Sequence, residues 1–227
     1  MDLETILRDR ASGQSRIIRM TLELLKKTRR KGERIEICKK ICSAHRAMAG
    51  LRWVLERLEE GKSVSEIEEE IERMEAECVE RVEGIVEGKI VATISRSHVV
   101  ERALLKAKHV LALESQPGGE GLELARFVRG RGKLATTFPD SAMGYVVKGC
   151  DVVVVGADAV MRDGFVNKTG TLPLALTAKH LSKPFYVACP KYKFKDVDFD
   201  EIVDLSFKEE MLFEFVPKEL VTEFVTD

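Results

Sequence analysis

The chain has 227 residues, 44 % hydrophobic and 33 % charged, and its 37 Lys and Arg nearly balance 38 Asp and Glu for a formal net charge of −1. That apolar content supports one large core or two modest ones and rules against a disordered chain. The balanced charge rules against a protein that sheathes nucleic acid, because phosphate neutralisation needs clustered excess Lys and Arg, so no direct nucleic-acid binding is expected. Dense charge of both signs with little Gln or Asn is a composition of heat-adapted proteins.

Five cysteines, Cys38, Cys42, Cys78, Cys150 and Cys189, are scattered, odd in number and without a CxxC pair. Neither a disulfide framework nor a zinc set is expected. No apolar run approaches the ~20 residues of a bilayer span, and the opening MDLETILRDR lacks a signal-peptide core. The expectation is a cytoplasmic protein with no membrane partner, no metal and no cofactor.

From Leu3 to about Glu87 apolar residues recur three and four apart. Ile17, Ile18, Met20, Leu22, Leu24 and Leu25 mark a first helix, followed by a basic run, 26–31, that suits a helix C-terminus. The pattern from Ile35 to Leu58 predicts one further helix, ended by Gly61. Ser63 or Ser65 caps the next, each with Glu three residues on, and Ile67, Ile71, Met74, Cys78 and Val82 form its stripe.

After Gly88 the rhythm changes to short runs of Val, Ile and Ala alternating with helical stretches. Strands are expected at 89–95, 109–115, 133–138, 151–156 and 184–189. Helices are expected at 97–108, 120–131, 141–148 and 172–181, with a last amphipathic segment at 213–225. This order predicts βαβ units and a parallel sheet. The fold class is therefore α/β, a helical bundle over residues 1–87 followed by a Rossmann-like domain over 88–227 with a ligand pocket and a dimerisation surface.

In open parallel sheets ligands bind beyond the carboxyl ends of the strands. Four loops there carry polar or small residues. In Thr93-Ile94-Ser95-Arg96-Ser97-His98, the hydroxyls suit an anion at a helix start, and equally serve as N-caps. In the loop 114–121, Ser115, Gln116, Gly118 and Gly119 allow close backbone approach to a phosphate, though without a P-loop order. Asp140 follows the third strand as a ligand or an N-cap. The fourth loop, 156–171, is the richest: Asp158 follows the valine strand at the edge of a low-dielectric core, and Asn167 and Lys168 supply donors before a helix.

Residues 89–193 and 213–227 resemble the family that unites the alpha, beta and delta subunits of translation initiation factor 2B with methylthioribose-1-phosphate and ribose-1,5-bisphosphate isomerases. The resemblance rests on Glu114-Ser-Gln-Pro117, Asp140-Ser-Ala-Met143, Gly156-Ala-Asp158 and Asn167-Lys-Thr-Gly-Thr171, followed by Ala178-Lys179 and Pro184-Phe-Tyr-Val187. It implies an archaeal factor-2B-like member. In the isomerases a cysteine and an aspartate move a proton and an arginine holds phosphate. The resemblance places the aspartate at Asp158, the thiol at Ser95 and the arginine at Ser12 within Ala11-Ser-Gly-Gln14. A hydroxyl ionises far less readily than a thiol of pKa ~8.5, and the loss of Arg removes a bidentate clamp. The implied function is a regulatory subunit that binds a phosphorylated sugar or nucleotide without efficient catalysis, the alternative being an aldose-phosphate isomerase using Asp158. Implied partners are a second copy of the chain, a higher homo-oligomer, or other translation-factor subunits.

Overall fold

The computed structural model describes residues 2–9, 12–196 and 212–227; Ala11 lies outside them. The N-terminal part is helical: α1 (Leu3–Arg8), α2 (Gln14–Lys27), α3 (Lys31–Ala44), α4 (Ala49–Glu59) and α5 (Val64–Val86). Ser63 is the cap of α5: its Oγ accepts from Glu66 N at 3.2 Å and Glu66 Oε2 accepts from Ser63 N at 2.7 Å. The basic run falls across the α2–α3 junction, with Lys26 and Lys27 in the last turn of α2.

The helix expected from 35 to 58 is two helices, broken at 45–48. His45 ends α3 with its ring nitrogen Nε2 2.8 Å from Ile6 O. A new helix start frees its first N–H groups, and two of them are used at long range. Ala49 N donates to Asp158 O at 3.0 Å and Gly50 N to Gln14 Oε1 at 2.8 Å. A continuous helix would have kept both donors for itself.

Beyond α5 the chain alternates: β1 (Ile90–Thr93), α6 (His98–Ala103), β2 (His109–Leu113), α7 (Glu120–Arg129), β3 (Ala135–Phe138), α8 (Met143–Gly149), β4 (Val152–Gly156), β5 (Ala159–Val160), β6 (Gly164–Lys168), α9 (Thr171–His180), β7 (Phe185–Ala188), β8 (Phe213–Pro217) and β9 (Glu223–Val225). Strands β3-β2-β1-β4-β7-β9 form one sheet in that order, with parallel pairings throughout. The mixed α/β class with a parallel sheet is thus observed.

Successive residues of β4 serve opposite faces, as a strand's period of two requires. Val152 and Val154 join a core with α5, α6 and α7, while Val153 and Val155 join one with α8 and α9. A third core holds α1 to α4 with Tyr192. Helix α5 belongs to two cores: Ile67 and Ile71 pack in the third, Cys78, Val79, Val82 and Val86 against the sheet.

A second sheet was not expected. β5, β6 and β8 pair antiparallel, so 164–168 is strand rather than loop, and the segment 213–225 is the two strands β8 and β9. Phe165 and Val166 have their backbone partners in Val216 and Phe215, far along the chain, where local periodicity gives no notice.

Candidate functional site

The order β3-β2-β1-β4-β7 reverses direction at β1 and β4, the crevice where open parallel sheets hold ligands. A cavity of about 360 Å³ lies there, within the ~300–1,000 Å³ usual for small-molecule sites. The segment 94–98 after β1 and the segment 156–158 after β4 form its floor, with Asn167 and Lys168 from β6. Gly156 lets the two strand exits close up, since a Cβ there would sit 2.5 Å from Ser97 Cβ. The opposite wall comes from the helical part: Ser12, Gln14, Arg16 and Arg19 at the start of α2.

Two ammonium groups are buried here. Lys168 is 4 % exposed and Lys193 3 %. A cation that deep must be paired and hydrogen-bonded. Lys168 Nζ donates to Glu120 Oε1 at 2.8 Å and also to Pro117 O, and Lys193 Nζ donates to Ala157 O at 2.7 Å. Asp158 lies within electrostatic reach of both. Burial pushes its carboxyl up to about 6, against the ammonium groups of Lys193 and Lys168, which act to lower it.

At the mouth, Arg96 is committed to Glu101 (2.7 Å) and Glu123 (3.0 Å). Burial acts to raise Glu101, but hydrogen bonds from His98 and Arg96 outweigh it and hold the carboxyl below its ordinary value. His98 Nε2 lies 2.6 Å from Arg19 Nη2. A guanidinium only donates, so Nε2 accepts and the ring proton on Nδ1 faces Glu101 Oε1 at 3.3 Å. Behind them the buried carboxylate of Glu75 takes Tyr192 OH at 2.9 Å and Arg19 at 3.5 Å.

Among the described residues, Gln14 Nε2, Ser97 Oγ and Glu120 Oε2 are buried atoms of cavity-lining residues without a hydrogen-bond partner. Each such group costs about 1–3 kcal/mol unless something completes it. Three such atoms belong to residues lining one cavity.

Of the residues singled out in the sequence, Ser95, Ser97, Asp158, Asn167 and Lys168 line this cavity. Ser115, Gln116, Gly118, Gly119 and Asp140 do not; they build its support. Asp140 accepts from Ser115 N at 2.9 Å and Gln116 N at 2.7 Å, and Ser115 Oγ accepts from Ser95 N at 2.6 Å. Gly118 and Gly119 both have positive φ, turning the loop into α7 so that Glu120 reaches Lys168. Gln14, Arg16, Arg19, Glu120 and Lys193 were not foreseen. Lys193 follows β7, so the strand-end rule pointed to it. The start of α2 was indicated only by the resemblance, which places the arginine at Ser12, and not by any pattern in the residues themselves. Among the described residues no cluster of three or more His, Cys, Asp or Glu is arranged to hold a metal, and no helix is long and apolar enough to cross a membrane.

The profile of the initiation factor 2 subunit family matches residues 13–220. The chain belongs to that family. The match takes in the helices from α2 onward, beyond the motifs after Lys89. A Pyrococcus abyssi protein with the provisional name "translation initiation factor eIF-2B subunit 2-like" is 34 % identical over 134 residues, 59 % of this chain and 49 % of that protein. The ribose 1,5-bisphosphate isomerase of Archaeoglobus fulgidus is 36 % identical over 118 residues, 51 % of this chain and 37 % of the isomerase. The chain thus aligns with about half or less of the length of these two relatives. The crystal structure of the Pyrococcus horikoshii translation initiation factor eIF-2B superposes with a TM-score of 0.85 at 25 % identity, over 99 % of this chain and 93 % of that one. Initiation-factor proteins and sugar-phosphate isomerases both stand among the relatives, and the side chains of the cavity must decide between them.

Proposed function

We propose that this member of the initiation factor 2 subunit family is a factor-2B-like regulatory subunit that binds a phosphorylated sugar or nucleotide in the cavity between α2 and the strand ends, without efficient catalysis. The supporting observation is the pairing of a built polar cavity with Ser95 at the position where the resemblance places the reactive thiol. Ser95 has φ 67 and its N–H is tied to Ser115 Oγ. A hydroxyl there lacks the acidity for proton transfer between carbons at neutral pH. Lys168, Lys193, Arg16 and Arg19 supply the positive charge a phosphate needs. Exposed Tyr145 on α8 and Leu176 on α9 support self-association or pairing with another subunit through the sheet domain.

A second reading, aldose-phosphate isomerase, is favoured by Asp158, whose carboxyl near 6 suits general acid–base work. Incubation with ribose 1,5-bisphosphate and with methylthioribose 1-phosphate separates the two. The expected outcome is binding by calorimetry with no ketose formed. Ketose formation that disappears in Asp158→Asn would establish the isomerase instead. Sedimentation of the same samples is expected to give at least a dimer; a monomer at tens of micromolar would remove the association proposal.

A further inference from the structure

Gln14 opens α2 and is 2 % exposed. Its Oε1 accepts from Gly50 N at 2.8 Å, which fixes the orientation of the amide. The other end, Nε2, is then a donor only. Gln14 lines the cavity, and this donor is buried beneath that lining, without a partner among the described residues. Glu120, another residue lining the cavity, is its chemical complement. Glu120 Oε1 is held by Lys168 while Oε2 is buried and, among the described residues, without a donor. A polyol phosphate satisfies both, with an oxygen for Gln14 and a hydroxyl for Glu120.

We infer that Gln14 is a specificity-determining residue of this cavity, donating through Nε2 to an oxygen of the bound phosphorylated ligand. The inference rests on the proposed function above and adds the group that reads the ligand from the helical side. The segment is the one where the resemblance places an arginine at Ser12. A guanidinium would offer a two-pronged clamp there. Gln14 offers one directed amide, held by the start of α4, so recognition depends on a single geometry. Because Gly50 and Ala49 are neighbours, the same helix start holds Gln14 and, through Ala49 N, the carbonyl of Asp158 at 3.0 Å. Ligand bound at both residues would tie α2 and α4 to the end of β4.

The test is calorimetry with ribose 1,5-bisphosphate and adenosine monophosphate on the wild type, Gln14→Glu and Gln14→Leu, with thermal melts as the check on folding. Gln14→Glu retains an oxygen for Gly50 N and replaces the donor by an anionic acceptor. Gln14→Leu removes the donor without adding charge. For whichever probe the wild type binds, a loss of about 100-fold is expected for Gln14→Glu and about 10-fold for Gln14→Leu. Affinity within twofold of wild type in either folded variant overturns the role of Gln14 and leaves the proposed function standing. No binding of either probe by the wild type overturns both. Should Gln14→Leu not fold, because Gly50 N has lost its acceptor, Gln14→Glu decides alone.

Discussion

Strands β4 and β6 are each five residues long and buried throughout, yet they are filled differently. β4 is Val-Val-Val-Val-Gly, and its valines divide between two cores by position alone. β6 is Gly-Phe-Val-Asn-Lys. Its apolar middle packs, but its last two positions carry an amide and an ammonium that demand named partners: Thr171 Oγ1 at 3.0 Å for Asn167 and Glu120 at 2.8 Å for Lys168. Apolar burial is satisfied by any close packing. Polar burial is satisfied only by directed bonds. The first kind of strand builds the sheet, and the second carries chemistry to its end.

The sharpest way to break this contrast is at the apolar half of β6. Phe165 is fully buried, with ring centres 5.9 Å from Phe224 and 6.5 Å from Phe185. Phe165→Ala is expected to cost about 3–5 kcal/mol by urea denaturation. A loss below about 1.5 kcal/mol would mean that β6 is not anchored by packing as β4 is.

A smaller effect tests the polar end. Asp158 is held near 6 against an ordinary value of 3.8. Between these values the folded protein binds a proton that the unfolded chain has released, so stability falls as pH rises through that window and stays lower above it. Asp158→Asn removes this titration. The variant is expected to be more stable than wild type by up to about 3 kcal/mol above pH ~6.5, with the difference fading below pH ~4. A gain independent of pH, or a loss at pH 7, would show that the carboxylate is stabilised by its surroundings, and the site would have the opposite electrostatic character.

Much of the parallel sheet was legible because its signals are local. Runs such as Val152 to Val155 can only be a strand buried on both faces. Strand ends are also where Ser95, Ser97 and Asp158 were found, because the connectivity of a parallel sheet fixes where its loops gather. What escaped depends on distant partners. The interruption at 45–48 exists because Ala49 N and Gly50 N are claimed by Asp158 and Gln14. The antiparallel sheet needs β8 beside β6, and the turn between β5 and β6 is closed by Met161 N on Gly164 O without a glycine at its centre. Loop residues such as Asp140 carry the right chemistry for a ligand, and only coordinates show it spent on Ser115 N and Gln116 N.

The central claim is that carboxylate, ammonium and amide from three separate parts of the chain face one ligand. The direct measurement is the electron density of crystals soaked in ribose 1,5-bisphosphate at millimolar concentration. Density in the cavity within hydrogen-bonding distance of Gln14 Nε2 and Lys168, and beside Asp158, is the predicted result. An empty cavity, or the sugar phosphate bound on another face while Gln14 and Glu120 keep their present surroundings, would contradict it.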